Sequence, residues 1–133
     1  MTSCAAFWTG AITTHGHPAC LKAATDLATV LFTGKTDALP KPTHPPEDMT
    51  GWVGHTMAGV GWAISQGARF ADIVLAAARL GGQAHTTGAV AGQIAGRLFG
   101  YEGIPLDWRM ALHDHDKIVT IADDLHVMRP IDV

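Results

Sequence analysis

Histidines and one glycine-rich loop carry most of the chemistry this sequence could perform. There are eight histidines. An imidazole moves protons near neutral pH and binds transition ions. The densest group, His113-Asp114-His115-Asp116, contains the residue types of a metal site. Neighbours on a helix point in different directions, however, so the run reads as a helix junction with capping aspartates and exposed histidines. His15 and His17 flank a helix start and suit a loop better than a metal site. His55 falls on an apolar helix and reads as a hydrogen-bonded core histidine. The loop is Gly81-Gly82-Gln83-Ala84-His85-Thr86-Thr87, in which Thr86 or Thr87 is placed to cap the helix that follows. Backbone N–H groups at a helix start, at the positive end of its dipole, cradle phosphates or ribose hydroxyls. Gly81, Gly82, Gln83, His85 and Thr86 are therefore the ligand-binding candidates. The competing reading is a scaffold whose helices simply pack that way.

No G-x-G-x-x-G after a strand, P-loop, H-E-x-x-H or G-x-S-x-G occurs. The glycine-rich loop also lacks the paired carboxylates that a hard divalent cation needs. Cys4 and Cys20 form neither a C-x-x-C pair nor a disulfide framework. They read as reduced thiols in a cytoplasmic protein.

The elements that must position these residues are helical, because apolar residues recur at helical spacing and strict alternation is absent. Pro18 suits a first helical turn. Leu21, Ala24, Leu27, Ala28 and Leu31 form one face, and Gly34 ends the helix. Residues 34–50, with Pro40, Pro42, Pro45 and Pro46, predict an extended connection. A second helix is expected from about Trp52 to Gln66, ended by Gly67. A third runs from about Arg69 to Leu80, with Phe70, Ile73, Val74, Ala77 and Leu80 inward and Gly81 and Gly82 closing it. The next helix carries Gly88, Gly92 and Gly96 on one stripe. Glycine costs about 1 kcal/mol in a helix interior, so the stripe predicts close approach of another helix at Gly92 and Gly96. At Gly88 a ligand touching the backbone is an equal alternative. A short helix with Trp108 and Leu112 follows. A final helix, about Asp116 to His126, is expected to turn Ile118, Ile121, Ala122 and Leu125 inward and Asp116, Lys117, Asp123 and Asp124 to solvent.

The whole is expected to be one all-α domain over residues 1–133, with five to six helices. At 133 residues the chain is long enough for a core of its own. Its net charge of −3 argues against nucleic acid as a partner. No apolar run is long enough for a membrane span, and the first residues lack the basic start of a secretory signal. With 47% hydrophobic and 16% charged residues, part of the surface is expected to be covered by something else.

Over residues 11–125 the order of these elements resembles a known family. Gly51-Trp52-Val53-Gly54-His55-Thr56, Phe70-Ala71-Asp72-Ile73-Val74-Leu75-Ala76-Ala77, and Leu80-Gly81-Gly82 followed by Thr86-Thr87-Gly88-Ala89-Val90-Ala91-Gly92 resemble the C-terminal half of the ADP-ribosylglycohydrolases. Gly100, Ile104-Pro105, Trp108 and Ile121-Ala122-Asp123 are similar to that family's closing pattern, and Thr14-His15-Gly16-His17-Pro18 to its Thr-His element. The resemblance implies an orthogonal helical bundle around two magnesium ions that cleaves the glycosidic bond of ADP-ribose attached to protein side chains or related acceptors. In that family the ions are held by an N-terminal Thr/Ser-Asp-Asp motif and a Gly-Gly-Asp-x-Asp-Thr loop. Here the first motif is absent, Gln83 and His85 stand where the aspartates belong, and Thr86 alone of the ligand set remains.

Exchanging two carboxylates for an amide and an imidazole removes two negative charges that magnesium requires. No magnesium or other cofactor is therefore expected, and the first reading is a truncated, inactive relative. It would serve as a binding or assembly module for an ADP-ribose-like ligand, with His15 approaching the same pocket. Its exposed bundle face would be buried by a homo-oligomer or a partner chain. The alternative is an active hydrolase, either completed by a partner chain or using His85, His15 or Asp114 as acid–base groups.

Overall fold

The structure is a computed structural model that describes residues 18–128. The described residues form six α-helices: α1 Pro18–Thr33, α2 Val53–Gln66, α3 Phe70–Arg79, α4 Ala84–Phe99, α5 Leu106–Ala111 and α6 His115–Val127. A 3-10 turn, Tyr101–Gly103, precedes α5, and there is no strand among the described residues. None of these helices is long and apolar enough to cross a membrane. The all-α expectation holds, and the helix boundaries fall close to those the punctuation predicts. Pro18 opens α1, and Gly34 ends it at φ 69°. Gly67 follows α2, and Gly81 and Gly82 follow α3 at φ 72° and 54°. Residues 34–50 contain no helix, but Leu39 and Met49 turn back into the interior and are buried.

The core lies where α2, α3 and α4 meet, with α1 laid across α2 and α4. Val30, Val60, Ile73 and Ile94 are its largest fully buried apolar side chains, and Ala63, Ala77, Ala91 and Ala95 fill the contacts between them. So many alanines let helix axes approach closely, and dispersion then acts over most of each contact. The inward face of α1 is rotated from the expected one. Ala23 and Val30 are buried, with Leu27 and Leu31 packed beside them, because α1 meets two helices rather than one. Gly61 is required by packing: a Cβ there would collide with the carbonyl of Pro40, where the proline-rich connection crosses α2. Arg97 ties α4 to α1, its Nε donating to the Leu31 carbonyl at 2.9 Å.

Two expectations fail in the C-terminal third. Ile118, Ile121 and Leu125 are 47%, 48% and 63% exposed, and α6 buries no residue. The periodicity is genuine, but no described element lies against that face. The glycine stripe fails in the same way. A Cβ on Gly88, Gly92 or Gly96 would meet no atom within 4 Å, so no helix among the described residues packs closely there. What holds this region is smaller: Phe70 and Trp108 stack edge to face, 6.3 Å between centroids, anchoring α5 on α3.

Candidate functional site

Two loops lie side by side at the start of α4. The amide of Gln83 donates to the carbonyl of Met49 at 3.1 Å, fastening the loop after α3 to the one before α2. Gly82 makes this approach possible, since a Cβ there would strike the Met49 carbonyl and its φ of 54° disfavours any side chain. In the second loop the Thr50 hydroxyl accepts from the amide of Trp52 at 3.2 Å and shares a hydrogen bond with His55 Nδ1 at 2.7 Å. The Trp52 and His55 rings meet edge to face at 4.9 Å. His55 is thus hydrogen-bonded and half-buried, and Thr50 fixes its orientation.

The cap predicted for α4 is not the one observed. The helix begins at Ala84 with Gln83 as N-cap, and no side chain caps it. Thr86 and Thr87 lie within the first turn, and both amides donate to the Gln83 carbonyl at 3.1 Å. Thr87 is fully buried, its hydroxyl donating to that same carbonyl at 3.3 Å. Two glycines of positive φ already end the loop, so the helix starts earlier than a threonine cap would place it. With the Gln83 amide committed to Met49 and those of Thr86 and Thr87 to the Gln83 carbonyl, the predicted cradle is reduced to the N–H groups of Ala84 and His85.

Gln83, His85 and Thr86 stand together at this helix start, their side chains without a hydrogen-bond partner among the described residues. Gln83 is half-buried; His85 and Thr86 are exposed. Beside Thr86 opens an apolar groove of about 340 Å³, walled by Cys20, Ala23, Leu27, Val53 and Met57. Gly81 is open to solvent, and Gly88 faces away from this groove into another. His15 lies outside the described residues, as do His17 and Cys4.

The His113–Asp116 run resolves into separate roles. The His113 side chain is fully exposed, with Asp114 as its ionic neighbour at 3.5 Å. Asp114 is the N-cap of α6 in the left-handed region, at φ 55°. No hydrogen bond or ion pair joins it to His85, so the acid–base candidates His85 and Asp114 are not brought into contact. His115 is the residue with partners. Its Nε2 shares a hydrogen bond with the hydroxyl of Tyr101, the sequence's single tyrosine, at 2.6 Å, and its Nδ1 shares one with Asp116 at 2.9 Å. Arg109 lies over the Tyr101 ring, 4.7 Å from its centroid, and reaches Glu102 at 3.4 Å. Its Nε is buried with no hydrogen-bond partner among the described residues. Sequence spacing does not disclose this cluster, because Tyr101 and His115 are fourteen residues apart on different elements. The cluster edges an apolar groove of about 440 Å³, with Phe70, Gly88, Gly92 and Trp108 on one side and Ile118 and Ala122 of α6 on the other.

No group of three or more His, Cys, Asp or Glu able to hold a metal ion occurs among the described residues. The donors at the α4 start are an amide oxygen, an imidazole and a hydroxyl, a set that does not fit a pair of magnesium ions.

Comparisons with known proteins point to one family. The ADP-ribosylarginine hydrolase Tri1 of Serratia proteamaculans (strain 568) is 38% identical over 81 residues, 61% of this chain and 22% of that protein. The protein of the same name from Pseudomonas putida (strain GB-1) is 33% identical over 81 residues, with the same coverage. The matched stretch thus spans under a quarter of the length of these relatives. No solved structure matches significantly. The ADP-ribosylglycohydrolase family profile covers residues 26–131. That profile covers well over half of the all-helical chain, and so the chain belongs to the ADP-ribosylglycohydrolase family.

Proposed function

We propose that this chain is a catalytically degenerate ADP-ribosylglycohydrolase that acts as a binding and assembly module. The observation that carries the first half is the donor set Gln83, His85 and Thr86 at the start of α4. None of these side chains is anionic, and magnesium, which gives up water reluctantly, is held mainly through anionic oxygens in near-octahedral array. Coordination by a neutral amide and an imidazole leaves two dications uncompensated, so no hydrolytic step is assigned to them.

Binding is supported by the groove beside Thr86 and by the N–H groups at the α4 start. This pair of features suits a nucleotide: an apolar wall for a base or ribose face, and amides for phosphate oxygens. His15, three residues before α1, belongs to this reading through the family's Thr-His element. Assembly is supported by Leu106, Met110, Leu125, Val127 and Met128, which are 64%, 79%, 63%, 81% and 77% exposed. Large apolar side chains so exposed on α5 and at the end of α6 suit burial by a homo-oligomer or a partner chain. Cys20, unpaired and exposed, fits a reducing compartment such as the cytoplasm.

Calorimetry with ADP-ribose tests the pocket, and hydrolysis of an ADP-ribosylated arginine peptide with and without magnesium tests the chemistry. The expected result is binding without turnover, weakened at least about tenfold by Thr86→Leu, which replaces the hydroxyl and crowds the groove. Magnesium-dependent turnover by the chain alone would overturn the degenerate reading. It would favour the second reading, an active hydrolase, which rests on the relatives' hydrolase names.

A further inference from the structure

We propose that residues 4–12 fold back along α1 and seat Trp8 in the groove beside Thr86, occupying that pocket until a ligand displaces them. The docking stands on its own observations; its regulatory consequence rests on the ligand reading above, because one groove serves both. Three observations converge on it. First, the occupant needs cover. The first Asp, Glu, Lys or Arg of the chain is Lys22, and Cys4-Ala5-Ala6-Phe7-Trp8 is an unbroken apolar run ahead of α1. A solvated tail has the opposite composition, rich in charge and poor in aromatics. The groove matches it in kind, since no charged side chain lines its 340 Å³.

Second, the groove opens at the point where those residues enter the fold. Cys20, Ala23, Ala24 and Leu27 of α1 form one wall, and Val53 and Val90 stand across from them. Cys20 is exposed, and Ala24 and Leu27 are only half-buried, so the apolar stripe of α1 is left unfinished on this side. Neither the groove over Trp62 and Leu75 nor the one beside α6 takes a wall from α1.

Third, the length suffices. From Cys20 to Leu27 the groove follows α1 for about 10 Å at the helical rise. The stretch from Trp8 to Pro18 can span up to about 35 Å, enough to reverse and lie along it. Gly16, two residues before Pro18, supplies the conformational freedom for the reversal. A contact closed through so short a connection works at an effective concentration of about millimolar. An interaction too weak to hold two separate molecules is therefore populated within one. An indole, with its large apolar area and few rotatable bonds, is the side chain best suited to it.

The test reads Cys20, which stands in the groove wall. In a Cys4→Ser background it is the chain's single thiol, and its alkylation by iodoacetamide reports how often the groove is open. Trp8→Asp is expected to speed that alkylation at least about fivefold with helicity unchanged, and Trp8→Phe to keep most of the protection. Trp8→Asp is also expected to tighten ADP-ribose binding at least about threefold, because an occupied pocket lowers apparent affinity by its open fraction. In the unsubstituted chain, NMR is expected to find nuclear Overhauser contacts from the Trp8 indole to the methyls of Leu27 and Val90, a readout that needs no variant. Equal alkylation rates, or an indole without those contacts, would overturn the docking. Protection of Cys20 with ADP-ribose affinity unmoved by Trp8→Asp would overturn the regulation alone. ADP-ribose binding to neither form would overturn the ligand reading and the regulation with it, while the thiol and the indole still decide the docking.

Discussion

Gly82 holds the two loops of the candidate site together, and the reason is steric. Its φ of 54° and the Met49 carbonyl beside it exclude a side chain. Gly82→Ala is expected to cost about 1–3 kcal/mol, read by urea denaturation; a loss below about 0.5 kcal/mol would show that the loops separate freely. Gly96 is the opposite case, with open space where a Cβ would stand. Gly96→Ala is expected to stabilise the fold by about 1 kcal/mol, raising the denaturation midpoint. Asp72 illustrates charge at the same scale. Arg69 donates to both its oxygens at 3.0 Å and holds its carboxyl below the ordinary carboxylate value, while Asp72 raises the Arg69 guanidinium. A carboxylate whose pKa is lower folded than unfolded stabilises above its unfolded value and loses that contribution as pH falls through the folded one. The pair therefore supports α3 at neutral pH and fades only below the normal aspartate range. Carbon-detected titration should find the Asp72 midpoint below that of an aspartate peptide, and equality would remove the pair from the account.

At the scale of elements, stability is divided unevenly. α1 to α4 and the connection between α1 and α2 hold the buried residues, while α5 and α6 hold none. Ile73→Ala is expected to cost about 2–5 kcal/mol, whereas Leu125→Asp, at a 63% exposed site, is expected to leave unfolding within about 0.5 kcal/mol. The contrast should reappear in hydrogen exchange, with α6 amides opening well before those of α3 and α4; equal protection would contradict it. This division also separates what the sequence discloses from what it hides. Helix ends were legible because proline and positive-φ glycine act locally, as at Pro18, Gly34, Gly81 and Gly82. Burial was legible for α3, whose neighbours belong to the described chain. For α6 and the glycine stripe the same periodicity misleads, since an apolar face records that something covers it, not that the cover is near in sequence. The cap of α4 was misread because glycines and threonines competed for one helix start. The Tyr101–His115–Asp116 chain stayed hidden because it joins residues from separate elements.

For the molecule as a whole, the proposed degenerate site separates family membership from chemistry. The chain belongs to a glycohydrolase family, and its α4 start follows two glycines of positive φ. Yet the side chains on it are an amide, an imidazole and a hydroxyl. A fold hosts a reaction only through the groups at its site, and here those groups carry no negative charge with which to gather two dications. Supplying two anions, by Gln83→Asp with His85→Asp, is expected to raise magnesium affinity at least about tenfold, measured against the parent chain. The parent itself is the decisive case. In a calorimetric titration of the chain with magnesium chloride, the account predicts no binding tighter than about millimolar; two stoichiometric sites with Kd near or below about 10 µM would contradict it.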